Sequence, residues 1–182
     1  MNKWHDLQLQ DRLTEILCEF AFDEGHHFGR PYASAYQIAI AFAGRYPALV
    51  EQIGLPLGGP GIGKRNSLTQ YLAGELSRRI KSGEITHIEG AWLSTLRLHR
   101  LEFDLPDDVL SVPAHQVVLS MFRLTEQGLR ALDRQRYDEA VAAGLRARRA
   151  SQGRHRASPR SGEEINDAEQ IDDGSPKQPR LL

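Results

Sequence analysis

The sequence predicts a mainly helical α+β domain with a small antiparallel sheet, and three observations carry that prediction. Apolar residues recur at helical spacing from Leu9 as far as Ile80. After Gly83 the period falls to two, as in half-buried strands. At Thr125 the helical period returns, and from about Ser151 the chain loses its aromatics and fills with Ser, Gly, Pro and charge. The expected division is a folded domain over 1–150, with extra helices at both ends, and a disordered charged tail over 151–182.

The first helix is expected over Asp6–Phe22, where Leu9, Leu13, Ile16, Leu17 and Phe20 share one face. Cys18 lies among them and reads as a small buried hydrophobe; one cysteine cannot close an internal disulfide. "DEGHHFGRPY" then breaks the pattern with two glycines and a proline. Ser34 followed by Gln37 has the spacing of a capping box, and opens a helix that is apolar nearly all round through Tyr36, Ile38, Ile40 and Phe42. Pro47 starts a short helix that Gly54 ends.

The clearest helix begins at Ser67, an N-cap with Gln70 three residues on. Leu68, Leu72, Leu76 and Ile80 line one side, Arg78, Arg79 and Lys81 complement the dipole at its end, and Gly83 stops it. "EITHIEGAWL", "LRLHRLEFD" and "HQVVLSMFRL" follow as strands, the second with its alternation slipped at His99–Arg100, and Trp92 and Leu93 are expected to fill core. Asp104–Ala114 reads as a turn-rich link between the last two. Thr125 caps a final helix that runs to about Ala150 with Leu129, Leu132, Val141 and Leu145 on its apolar side, long enough to pair with its own copy in a homodimer.

This order of elements resembles a winged helix-turn-helix domain. The most specific stretch is "FRLTEQGLRAL", Phe122–Leu132. It resembles the sheet-to-helix junction after the wing in bacterial regulators of the multiple-antibiotic-resistance and phenolic-acid-repressor type. There a strand ends in Leu-Thr, and the Thr caps a helix that starts with an acidic residue and Gly. The resemblance implies a non-enzymatic protein that binds double-stranded DNA. The loop Leu55–Gly63 is longer and richer in glycine than the usual turn of such domains.

"GGPGIGKRNSLTQYLA" admits two site readings. Gly58, Gly63 and Lys64 have the spacing of a phosphate loop, but Arg65 stands where the magnesium-binding hydroxyl belongs, and no buried strand precedes the stretch. As a recognition helix the same residues present Lys64, Arg65, Asn66, Ser67, Thr69 and Gln70 to a major groove, where Arg and Lys suit guanine and Asn and Gln suit adenine. On this reading, backbone N–H groups at the helix start and in the Gly-rich loop hold a phosphate of the duplex. The bland alternative is an amphipathic helix with a solvated polar face.

Charge distribution adds a second DNA-binding element. The net charge of −1 conceals a segregation. Residues 143–160 carry Arg146, Arg148, Arg149, Arg154, Arg156 and Arg160 without an acid, and residues 161–175 carry six acids without a base. The arginines read either as a solvated linker or as an arm on phosphates, which the acidic run could mask. The link Asp104–Ala114 is acidic where a wing is usually basic, which favours an alternative role as an adaptor subunit bound to a partner protein. A nucleotide- or metal-dependent enzyme is the third reading.

No catalytic residue, metal or cofactor is expected. His26 and His27 beside Asp23 and Glu24 have no established ligand spacing, and His87 and Glu89 read as structural polar residues. No apolar run is long enough to cross a bilayer, and the polar N-terminus "MNKWHDLQLQDRL" lacks the features of a signal peptide, so the expected location is the cytoplasm.

Overall fold

The computed structural model describes residues 3–21, 29–59, 66–116 and 119–130, together with positions 138, 139, 142, 145, 146 and 149. The first predicted helix, Asp6–Phe22, is α2 (Leu9–Phe20), and a further turn of helix that the periodicity did not announce, α1 (Lys3–Asp6), precedes it across Gln8, which is left-handed at φ 51°. The break lets Trp4 turn under the domain and become buried, and the Lys3 ammonium donates to the carbonyl of Ile53 at 2.8 Å.

β1 (Ala33–Ser34) leads into α3 (Ala35–Arg45), which starts with the predicted capping box: Ser34 Oγ accepts from the N–H of Gln37, and the Gln37 amide oxygen accepts from the N–H of Ser34. α4 (Pro47–Ile53) starts on its proline and ends on Gly54 at φ 70°. α5 (Leu68–Ser82) is capped by Ser67 and stopped by Gly83 at φ 77°. α3 packs against α2 and α5, and Leu13, Ile16, Ile38, Phe42, Leu68, Leu72 and Leu76 fill the centre. Arg79, 5% exposed, stacks on Trp4 with its guanidinium carbon 4.4 Å from the ring centroid, and it pairs with Glu75.

β2 (Ile88–Leu93), β3 (Arg100–Asp104), β4 (Val109–Pro113), β5 (Leu119–Leu124) and α6 (Glu126–Arg130) complete the described chain. The main sheet is antiparallel in the order β1–β5–β2, with Ala33 opposite Phe122 and Ile88 opposite Leu124. Thr125 caps α6 through its hydroxyl, which accepts from the N–H of Gly128 at 3.0 Å, while its own N–H donates to the carbonyl of His87. A Cβ on Gly128 would lie 2.4 Å from that carbonyl, so only glycine permits this docking of α6 on the start of β2.

β3 and β4 form a separate hairpin inserted between β2 and β5. Much of the link Asp104–Ala114 is therefore strand: the turn itself is short, closed by the N–H of Leu105 donating to the carbonyl of Asp108. The hairpin lies back on the domain, with Phe103 stacked on Tyr36 of α3 at 5.1 Å and Val112 packed with Leu119. Trp92 and Leu93 do not fill core. Trp92 is 73% exposed and Leu93 40%. The final helix beyond Arg130, and with it the surface expected to pair in a homodimer, lies outside the described residues apart from the six positions named above.

Candidate nucleic-acid interface

The start of α5 is knotted to the segment before it. Leu68 and Thr69 donate their N–H groups to the carbonyls of Pro56 and Leu57 at 2.7 and 3.2 Å, and the N–H of Gln70 goes to Ser67 Oγ at 3.3 Å. The Thr69 hydroxyl adds a second bond to the Leu57 carbonyl. Three of the donors that a helix N-terminus ordinarily leaves free are thus spent within the protein. These three N–H groups are not free to hold a phosphate, and residues 60–65 of the Gly-rich loop lie outside the described residues.

The same contacts settle the geometry of Gly58. It sits at φ 129°, and a Cβ there would press within 3.3 Å of the Ser67 side chain. The glycine serves close packing on the helix cap. Upstream stand α4 and residues without strand pairing, and both sheets are antiparallel, so no parallel strand delivers Gly58 to α5 as a phosphate loop requires.

Of the predicted groove-facing residues, Asn66 is exposed and Gln70 half-buried, with its Oε1 buried and lacking a hydrogen-bond partner among the described residues. Ser67 and Thr69 are turned inward, 4% and 2% exposed, and act as cap and anchor. Lys64, Arg65 and Arg148 lie outside the described residues. Arg146 and Arg149 are exposed in helical backbone, and the positive charge of Arg146 acts on Glu19 of α2. His26, His27, Asp23 and Glu24 also fall outside the described residues, among which no three potential metal ligands cluster.

Along α5 the residues Gly74, Arg78 and Lys81, at helical spacing from Gln70, are exposed. Gly74 has nothing within 4 Å of where its Cβ would be. Arg78 holds Glu75 at 2.5 Å while staying largely exposed, and Lys81 is exposed in the last turn. The spacing of four from Gln70 through Gly74 to Arg78 was available in the sequence. A glycine in the middle of an otherwise strong helix, where it is destabilising, was the signal.

The other titratable groups are structural. His87 Nε2 lies 3.1 Å from Thr14 Oγ1. Thr14 donates its own proton to the Gln10 carbonyl, so in this contact the Nε2–H of His87 is the donor. Burial pulls the His87 pKa below its usual value. Glu89 pairs across the sheet with Arg123 at 2.6 Å, and Arg123 lies over the Tyr32 ring. Burial pushes the Cys18 thiol up to about 12, the behaviour of an inert core cysteine.

No protein-family model, no curated protein and no solved structure matches the chain. Among the described residues no helix is long and apolar enough to cross a membrane.

Proposed function

We propose that the chain is a winged-helix protein that binds double-stranded DNA, with α5 as the recognition helix and the β2–β5 connection as an elaborated wing. The observation that carries this reading is the combination of sheet order and exposed helix face. A short first strand after the first long helix pairs with the last strand, the last strand pairs with the strand after α5, and α5 keeps Gly74, Arg78 and Lys81 exposed, with Asn66 exposed just before its cap. Asn matches adenine edges, Arg and Lys supply phosphate contacts, and a glycine at the centre of the face allows a duplex to approach closely. Because Leu68 and Thr69 tie the helix start to the preceding loop, Ser67 is spent as the cap and the Gln70 Oε1 is buried, base readout falls to Asn66 and not to the hydroxyls. Arg146 and Arg149 add sequence-independent contacts.

The test is binding of a mixed-sequence duplex, followed by anisotropy at about 50 and about 200 mM salt. Binding that falls steeply with salt, and that weakens in Arg78→Ala and Lys81→Ala without loss of fold, supports the reading. No binding at the lower salt overturns it. A second reading, an adaptor that docks a partner protein, is favoured by the exposed acidic turn at Asp107 and Asp108 and by the exposed Trp92.

A further inference from the structure

We propose that the acidic segment of residues 161–175 docks on an apolar and cationic surface at the end of β2, formed by Trp92, Leu96, Arg97 and Arg100. Leu96 is 80% exposed and Trp92 73%, so two large apolar side chains close in sequence face solvent at one end of the sheet, while Leu93, next to Trp92 on β2, points to the opposite face. Isolated exposed apolar residues are ordinary, but an exposed Trp with an exposed Leu and two arginines close in sequence has the composition of a binding hot spot. Arg97 marks the turn, with a left-handed backbone at φ 65° that is uncommon outside glycine and asparagine. No ion pair engages Arg97 among the described residues, and Arg100 reaches Glu102 only at 4.0 Å. His99 is exposed beside them, and Ser94–Leu101 contains no acid.

Such a surface fits an anionic segment with a few apolar side chains, and the chain carries one. Residues 161–175 hold Glu163, Glu164, Asp167, Glu169, Asp172 and Asp173, no base, and two isoleucines, Ile165 and Ile171. Residues 131–160, 30 in number, separate Arg130 from this segment. At roughly 3.3 Å per residue they can reach any point on the domain. Tethering places the segment at an effective concentration on the order of millimolar, so weak charge pairing suffices. The inference stands on charge complementarity and exposure, independently of whether the protein binds DNA.

The two tryptophans make the test direct, since Trp4 is 1% exposed and Trp92 faces solvent in the described domain. Acrylamide quenching is measured on the full chain and on the full chain with the six acids changed to their amides (Glu163→Gln, Glu164→Gln, Asp167→Asn, Glu169→Gln, Asp172→Asn, Asp173→Asn). Trp92→Phe assigns the signal. The expected result is that quenching of Trp92 rises about twofold in the amide variant, in Arg97→Glu with Arg100→Glu, and in the wild type at about 1 M salt, where charge attraction is screened. A peptide of residues 161–175 added to the amide variant restores the protection. Identical quenching in wild type and amide variant at low salt overturns the proposal, and is the outcome if the acids pair with Arg146–Arg160 instead. Protection that persists in the amide variant and grows with protein concentration also overturns it, in favour of a second copy on the patch. Protection that appears only when duplex DNA is added assigns the surface to DNA.

Discussion

The hydroxyl of Thr69 donates a 2.7 Å hydrogen bond to the carbonyl of Leu57, and this contact between the second residue of α5 and the loop before it decides what the helix can present. Both residues are drawn into the protein, so the helix start is a fastening and the exposed face lies further along. Thr69→Val keeps the shape and removes the hydroxyl, leaving the carbonyl with the N–H of Thr69 as its remaining donor. A loss of about 1–2 kcal/mol is expected, measured by urea denaturation. Thr69→Ser retains the bond and should lose less than Thr69→Val. If the two variants are equally destabilised, the hydrogen bond is not what holds the loop.

Arg79 joins α1 to α5 by stacking on Trp4, by pairing with Glu75, and by an ion pair to Glu84 at 3.1 Å that lacks hydrogen-bond geometry. Removing one member of a buried pair leaves the other charge poorly solvated. Arg78, which also holds Glu75, softens that penalty. Arg79→Leu is therefore expected to destabilise by about 2–3 kcal/mol, and Glu75→Leu added to it should recover part of the loss. A strictly additive double mutant would show that the pair has no coupling.

Local chemistry was legible in the sequence and long-range chemistry was not. Ser34 with Gln37, Ser67 with Gln70, Gly54, Gly83 and Thr125 announced their caps because each satisfies backbone groups within a few residues. β4 was hidden because Pro106, Asp107 and Asp108 look like a long turn, whereas they make only the tip of a hairpin that Phe103 and Val112 pin to Tyr36 and Leu119. Trp92 alternates correctly for a core strand, but alternation does not fix whether anything packs on that end of the sheet, where Trp92 is exposed. The inward turn of Ser67 and Thr69 depends likewise on the path of the loop at Pro56 and Leu57.

His87 should make stability fall on the acid side of neutrality. Burial lowers its folded-state pKa below the usual 6.5, so the unfolded chain takes up the proton first as pH falls. The stability contributed by this group is present above about 6.5 and is lost as pH drops from there toward the folded-state value. The check is the midpoint of urea unfolding from about pH 7.5 to about pH 5.5 in wild type and His87→Gln. The wild type should lose midpoint across that window more steeply than the variant. Parallel curves would mean that another group carries the dependence.

Gly74 separates a helix that merely packs from one that something must approach. An interior glycine weakens a helix by about 1 kcal/mol relative to alanine, and nothing in the domain occupies the space a side chain would fill. Gly74→Ala should therefore raise stability by about 0.5–1 kcal/mol, and Gly74→Gln by somewhat less, both measured by urea denaturation. On the DNA-binding reading the longer side chain stands between α5 and the duplex, so Gly74→Gln should bind the mixed duplex at least about tenfold more weakly, a loss of about 1.4 kcal/mol, despite being more stable. Greater stability with unchanged DNA affinity would remove α5 from the interface and leave its polar face as a solvated surface.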